Sequence, residues 1–173
     1  MLETPKALST HEVKNEEMFT MDNQQETLNA WLAGILDGEG SLMIHVNQYK
    51  RPSRGKPRPQ LIPRIQIGST SPEIIEKCRK AINQYTGCLV KDRVLPSGKI
   101  FQTVHVVGTK RAQALLPHVM EYLTLKLSKA KAIMEFIHSR QSKNRNTTYT
   151  KYEWALVAAT HNGSSETTCE APV

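Results

Sequence analysis

Two acidic residues set among glycines are the first residues in the sequence whose types and spacing indicate chemistry. In the segment WLAGILDGEGSLMI, Asp37 and Glu39 lie on either side of Gly38. Gly34 and Gly40 lie further out on the two sides. Glycine weakens a helix interior, and acidic side chains suit the start of a helix rather than its end. The segment breaks both preferences at one point, which favours a functional site over ordinary capping and turn residues.

The positive charges lie mainly in the middle of the chain. The sequence has 23 Lys and Arg residues against 16 Asp and Glu residues, a formal net charge of +7. Residues 1–26 carry six acids and two bases, whereas residues 27–151 carry the other 21 bases and seven acids. Such a charge distribution favours a polyanionic partner, and nucleic acid is the first candidate. The alternative is a basic, solvated surface without a partner.

The composition is that of an ordinary globular protein, with 39% hydrophobic residues. The sequence has no apolar stretch long enough for a membrane span and no signal-peptide pattern. We therefore expect an intracellular protein, in the cytoplasm or in an organelle of its host. Cys78, Cys88 and Cys169 show no metal-type pairing and are expected to be reduced thiols.

The hydrophobic pattern predicts which elements position the acidic segment. We expect a loose acidic arm over 1–24, one domain over 25–160 and a tail over 161–173. Thr27 is predicted to cap a helix that begins near Leu28. Strands are predicted at Ser41–Val46, at Leu61–Ser69 with Pro63 near its start, and at Leu89–Leu95 and Lys99–Val107, which form a hairpin through the turn residues Pro96, Ser97 and Gly98. Further helices are predicted from Pro72 to about Tyr85 with Ser71 as N-cap, and at Thr109–Leu116 (ended by Pro117), 118–123, 126–140 and Tyr152–Ala159.

The order α-β-β-α-β-β-α predicts an α+β domain with a curved antiparallel sheet backed by helices on one face. The other face of the sheet must then meet solvent or a partner. Asp92 is the only acid in these strands, which favours a nucleic-acid-binding face over a merely solvated one. The candidate DNA-binding residues of the strands are His45, Arg64, Gln66, Lys91, Arg93, Lys99, Gln102 and His105, and those of the 47–60 loop are Gln48, Lys50, Arg51, Arg54 and Arg58.

The acids at the end of the first helix would repel a polyanion bound to this sheet. A divalent cation resolves the conflict, because carboxylate and phosphate oxygens can share a hard ion such as Mg²⁺. Such an ion can activate water for phosphodiester hydrolysis. A ridge of small residues on the same helix, Ala30, Gly34 and Gly38, is spaced for close approach of a second helix.

Residues 32–40, LAGILDGEG, resemble the signature of the LAGLIDADG homing endonucleases, and the predicted element order fits that family over 26–140. The resemblance implies that Glu39 and the backbone carbonyl of Gly38 bind Mg²⁺, for which Ca²⁺ or Mn²⁺ can substitute. It further implies that Asp37 supports the helix end. The implied dimer interface contains Ala30, Ala33, Gly34 and Asp37.

Three further residues are catalytic candidates by the same resemblance. Lys126 would polarise the scissile phosphate or tune the attacking water; the alternative is a surface lysine. Gln66 or Ser69 would place the water.

Because the sequence holds one motif, the resemblance implies a homodimer. It also implies an intron-encoded enzyme that cuts both strands of a long pseudo-palindromic DNA target across the minor groove and leaves short 3′ overhangs. The alternatives are a non-catalytic DNA- or RNA-binding relative, such as a maturase or regulator, and a basic structural or ribosome-associated protein.

Overall fold

The computed structural model describes residues 10–49, 58–144 and 147–161, and for residues 10–22, 49 and 58 it describes the backbone alone. The predicted α-β-β-α-β-β-α order is confirmed and is followed by further helices. The elements are α1 (Thr10–Glu39), β1 (Gly40–Tyr49), β2 (Arg58–Ser69), α2 (Pro72–Asn83), β3 (Leu89–Val94), β4 (Ile100–Val107), α3 (Thr109–Val119), a 3₁₀ turn (Met120–Tyr122), α4 (Leu127–Gln141) and α5 (Lys151–His161). None of the described helices is long and apolar enough to cross a membrane.

The four strands form one antiparallel sheet in the order β1-β2-β4-β3, with helices packed on one face. Alternate strand residues such as Ile44, Ile65 and Val106 are buried against the helices. The helices contribute Leu32 and Leu36 from α1 and further residues from α2 to α5 to the same core. The fold class predicted from the sequence is therefore confirmed.

Helix α1 begins earlier than its apolar pattern predicts. It starts at Thr10 rather than near Leu28, so residues 10–24 are helical and not a loose arm. Thr27 lies inside the helix, where its hydroxyl donates to the Asn23 carbonyl at 2.8 Å, and is not the N-cap. Residues 10–33 contain no glycine or proline, so intrinsic propensity continues the helix where amphipathic periodicity is absent.

The local signals around α2 and the β3–β4 hairpin are confirmed. The Ser71 hydroxyl accepts from the Ile74 N–H at 3.4 Å, and Pro72 is the first helical residue. Gly98 occupies the hairpin turn with φ +78°, a conformation that glycine adopts without strain. In contrast, Pro117 does not end α3: it lies in the last turn and the helix continues to Val119, although Pro117 has no N–H to donate to the Gln113 carbonyl.

Helix α5 covers the exposed edge of the sheet at β1. The Ile44 N–H donates to the Thr160 hydroxyl at 3.0 Å, and the Ile44 carbonyl accepts from His161 Nε2 at 3.0 Å. Ile44 lies opposite Pro63, whose carbonyl points away from β1 and accepts from the Gly108 N–H at 2.9 Å. The missing N–H of Pro63 faces the same way, so this proline is tolerated in mid-strand rather than only near the strand start.

A buried carboxylate joins α4 to α5. Glu153 is fully buried, and it accepts from the Thr150 N–H at 2.7 Å and from Lys143 Nζ and Ser139 Oγ at 3.1 Å each. Arg140 Nη1 lies 3.6 Å from the same carboxylate. Burial raises the pKa of Glu153, but the Thr150 N–H, Lys143, Ser139 and Arg140 outweigh it and leave the pKa lowered. The charged form is therefore stabilised by folding.

We expect Glu153→Gln to lower the free energy of unfolding by about 2–3 kcal/mol at neutral pH, because two cations lose their buried partner. A lowered folded-state pKa gives stability that is present above the unfolded pKa and is lost as pH falls. The wild type should therefore lose stability below its ordinary pKa of 4.5, and the variant should show a weaker acid dependence. Urea unfolding at several pH values measures both effects. Glu76→Gln, at an exposed pair, is the control and should change little.

Candidate active site and nucleic-acid face

The acidic segment lies where α1 ends and β1 begins. Glu39 is the last residue of the helix and Gly40 the first of the strand. A Cβ added at Gly40 would lie 2.6 Å from the Leu36 carbonyl oxygen, so only glycine permits this close turn out of the helix. The Glu39 side chain is exposed and has no hydrogen-bond or ion-pair partner among the residues that the structure describes. Its carboxylate is therefore available to a ligand.

Asp37 and Lys126 form a reciprocal clamp between α1 and the start of α4. The Asp37 carboxylate accepts from the backbone N–H groups of Thr124 at 2.7 Å, Leu125 at 3.1 Å and Lys126 at 2.9 Å. Lys126 Nζ donates to the carbonyls of Leu36 at 2.8 Å and Asp37 at 2.6 Å. Lys126 thus satisfies carbonyls left unpaired at the C-terminal end of α1, and Asp37 satisfies N–H groups of the loop and N-cap that precede α4. We call this arrangement the Asp37–Lys126 clamp.

The clamp changes the ionisation of both partners. Burial raises the pKa of Asp37, but the three backbone N–H donors and the Lys126 charge outweigh it, so this pKa is lowered. Burial also lowers the pKa of Lys126, and the charge of Lys129 adds to this effect. Asp37 and Glu39 oppose that shift without cancelling it. Lys126 therefore lies beside the motif as predicted, with two of its three N–H donors used to hold the helix end.

We expect Asp37→Asn to destabilise the protein by about 1 kcal/mol, because the clamp loses its charge-assisted hydrogen bonds while its partly exposed donors can turn to water. The lowered pKa of Asp37 means that the clamp stabilises the fold above the unfolded pKa and weakens as pH falls through the folded one. Denaturant unfolding measures the change. Asp92→Asn is the matched control, since Asp92 is exposed and accepts from one side chain, Gln102, at 3.1 Å.

The small residues of α1 form an exposed ridge of Ala30, Gly34 and Gly38. A Cβ added at Gly34 or Gly38 would meet nothing within 4 Å, so nothing described within the chain explains why these positions are glycine. The prediction that Ala33 lies at a dimer interface is wrong, because Ala33 is 0% exposed and packs in the chain's own core. The carboxylate of Asp37 is likewise engaged within the chain, in the clamp.

The sheet face turned away from the helices is rich in basic and amide groups; we call it the open face. Strand register and burial assign its positions: those on β2 with even numbers, and those on β1, β3 and β4 with odd numbers. No acidic residue lies at its described positions. Six of the predicted DNA-binding residues share this face, namely His45, Arg64, Gln66, Lys91, Arg93 and His105.

Three predicted site residues lie on the helix side of the sheet instead. Ser69 and Gln102 pair with each other and share a face with the buried pair Ile67 and Val104. Gln48 lies four residues from the buried Ile44 on β1 and therefore shares its face. The Ser69 hydroxyl accepts from the Ser71 N–H at 3.1 Å, and Gln102 donates to Asp92. The prediction that Gln102 lies on the open face is wrong, because a shift of one residue along a strand reverses the face. Gln48 lies in β1 rather than in the predicted 47–60 loop, and the water-placing role of Ser69 stays a prediction.

The remaining basic candidates lie outside the sheet or outside the described residues. Lys99 is exposed in the hairpin turn, where its carbonyl accepts from the Leu95 N–H at 2.8 Å. The predictions for Lys50, Arg51 and Arg54 fall outside the described residues, as does the side chain of Arg58, the first residue of β2.

Several open-face residues were missed from the sequence. Ser41, Met43 and Asn47 share the face of His45, and strict alternation from His45 selects Asn47 rather than Gln48. Phe101 also lies on this face, with its ring over Gly68, where an added Cβ would overlap it. A glycine inside a strand pattern is a signal of such close approach.

The chain shares its fold with several solved structures, although no family model and no curated protein sequence matches it. The homing endonuclease I-CvuI, in complex with its target in the presence of Ca, aligns with a TM-score of 0.62 and 20% identity over 83% of this chain and 88% of that one. The archaeal intron-encoded homing endonuclease I-Vdi141I, complexed with DNA, aligns with a TM-score of 0.60 and 13% identity over 82% and 89%. The meganuclease I-SmaMI, bound to uncleavable DNA, aligns with a TM-score of 0.59 and 17% identity over 79% of this chain but 45% of that one.

Proposed function

From the fold that this chain shares with the LAGLIDADG homing endonucleases, we propose that it is a site-specific, metal-dependent DNA endonuclease. The observation that carries the proposal is the position of Glu39. Glu39 is the last residue of the motif helix, directly before β1, and its carboxylate has no partner among the described residues. Ser41, two residues further along the chain, lies opposite Gln66 on the open face, which has no acid at its described positions. A free acid at the margin of a basic surface has a use when it shares a cation with the phosphates of a bound polyanion.

The residues at this point fit a hard divalent cation. Glu39 and the backbone carbonyl of Gly38 would hold Mg²⁺, for which Ca²⁺ or Mn²⁺ can substitute. When bound, the ion would activate water and stabilise the leaving oxygen of phosphodiester hydrolysis. Within the described ranges no group of three His, Cys, Asp or Glu residues is close enough to hold a metal. In this proposal, oxygens of water, of the DNA phosphates and of a second copy of the chain complete the site. Structures of I-CvuI were determined in the presence of Mg and of Ca.

The neighbouring side chains have separate roles in this proposal. Gln66, on the open face opposite Ser41 and His105, positions the attacking water. Lys126 is a positioning residue, since its ammonium holds the carbonyls that immediately precede Gly38. Arg64, Lys91 and Arg93 contact the DNA backbone and base edges from the open face.

The Ala30–Gly34–Gly38 ridge supports a homodimer. Its exposed glycines permit the close approach of an identical helix, which would bring Glu39 of each copy to the same DNA. A two-fold enzyme of this kind cuts both strands of a long pseudo-palindromic target. Short 3′ overhangs and an origin in an intron complete the proposed activity.

The clamp favours one second candidate function. Because Lys126 donates to two helix carbonyls, only one of its three N–H donors is left for a scissile phosphate. A DNA- or RNA-binding relative without cleavage, such as a maturase or regulator, needs no such group.

Cleavage of a plasmid that bears the uninterrupted intron-insertion site of the host gene separates the two functions. With Mg²⁺ the enzyme should linearise this plasmid, leave a control plasmid without the site intact, and lose activity in EDTA. Binding to the site that survives EDTA, with no cutting in Mg²⁺ or Mn²⁺, would instead establish the non-catalytic relative. Equal binding to both plasmids would contradict site specificity.

A further inference from the structure

His105 is a nearly buried titratable side chain in the middle of the open face. It lies on the internal strand β4, opposite Gln66 on β2 and Leu89 on β3. The residue is 7% exposed although none of the described helices covers this face. Its nearest neighbours across the sheet are therefore one amide and one apolar side chain, and neither strand places an acid beside it.

The two ring nitrogens of His105 differ in their surroundings. Nδ1 is buried and has no hydrogen-bond partner among the described residues. Nε2 is not among the buried atoms that lack a partner. A proton on Nδ1 would be a buried donor without an acceptor, which is costly. The neutral ring therefore keeps its proton on Nε2, at the tip of the side chain.

The charges around His105 are all positive. Arg64 and Lys91 lie on the open face one alternate position away, on β2 and β3 respectively, and His45 and Arg93 are the other basic residues of that face. Burial lowers the pKa of His105, and the charges of Arg64 and Lys91 lower it further. The imidazole is thus the uncharged group between two cations.

We propose that His105 is a specificity-determining residue that reads one base pair as a neutral, single hydrogen-bond donor. This inference rests on the proposed DNA-binding function and adds the chemistry of one position. In the major groove, guanine and adenine N7, guanine O6 and thymine O4 are acceptors, whereas cytosine presents the N4 donor. The Nε2–H group can therefore donate to guanine, adenine or thymine and disfavours cytosine at the position that it contacts. Arg64 and Lys91, on either side of His105, supply the affinity for phosphates. A neutral histidine adds nothing to that electrostatic affinity.

Binding of duplexes substituted at each target position, measured in Ca²⁺ to suppress cutting, tests the proposal. Wild type should disfavour cytosine at one position of each half-site, and His105→Phe should lose about 3- to 10-fold of that preference. His105→Gln, whose amide carries an acceptor as well as a donor, should keep the affinity for the other bases and lose the discrimination against cytosine. If the Phe variant does not fold, His105→Leu makes the same test.

The salt dependence of affinity separates a neutral donor from a charged contact. His105→Phe should leave the slope of log K against log salt unchanged, whereas Arg64→Gln, its cationic neighbour, should reduce it by about one. Nitrogen chemical shifts of the free protein at pH 7 should show a neutral His105 ring with its proton on Nε2. A charged ring, a slope reduced by about one in His105→Phe, or an unchanged base preference would overturn this inference alone. A wild type that prefers no sequence would overturn the proposed function as well.

Discussion

The Glu39→Gln protein should bind its DNA target and fail to cut it. Glutamine keeps the size of the side chain but removes the charge that holds a divalent cation, so we expect cleavage to fall by at least about 100-fold. Affinity for DNA should stay the same or rise, because an acid that faces phosphate is removed. Plasmid linearisation and equilibrium binding, measured on the same preparation, give the two values.

A matched substitution shows that the loss belongs to the active site. Glu121→Gln changes an exposed glutamate on the 3₁₀ turn and should leave both cleavage and binding unchanged. Cutting by Glu39→Gln at the wild-type rate would remove Glu39 from the mechanism. A parallel loss of binding and cutting would assign Glu39 to folding or to DNA contact instead.

Gly34→Leu should convert the proposed dimer to a monomer and abolish double-strand cleavage. An added side chain at Gly34 meets nothing within 4 Å in its own chain, so the protomer should fold normally. Leucine is also a better helix former than glycine by about 0.8 kcal/mol, so the isolated protomer should not be less stable. The branched side chain instead keeps a second helix from close approach. Light scattering measures the mass of the particle in solution, and thermal unfolding measures the stability of the protomer.

Gly87→Leu is the control for this experiment. Gly87 is also exposed, with nothing within 4 Å of an added Cβ, but it lies in the loop before β3 and away from the α1 ridge. It should leave the mass and the cleavage unchanged. A Gly34→Leu protein with the mass of the wild-type dimer would show that the ridge is not the interface.

Local signals predicted the parts of the fold that depend on neighbouring residues. Ser71 and Pro72 marked the start of α2, and Gly98 marked the hairpin turn, because caps and turns have specific side-chain requirements. The start of α1 was missed because its first turns lack an apolar stripe. The helix propensity of its residues continues that helix, and a search for amphipathic periodicity alone does not detect such a segment.

The candidate site was predictable where the motif and strand alternation carried it. Glu39 was predicted to be at the helix end and Arg64 on the sheet face that the helices leave open. Gln102 was assigned to the wrong face, since the face of a strand residue depends on a register that only the pairing fixes. The three N–H donors of the clamp lie 87 to 89 residues from Asp37, a separation over which sequence spacing holds no information.

The cover that α5 provides for β1 sets a practical limit on how the chain can be shortened or fused to other proteins. Removal of Thr160 and His161 would leave the N–H and carbonyl of Ile44 unpaired on a bare strand edge. Such an edge recruits strands from other molecules and leads to aggregation. Tandem versions that join two copies through a linker should therefore place the junction after His161 and not within the last helix.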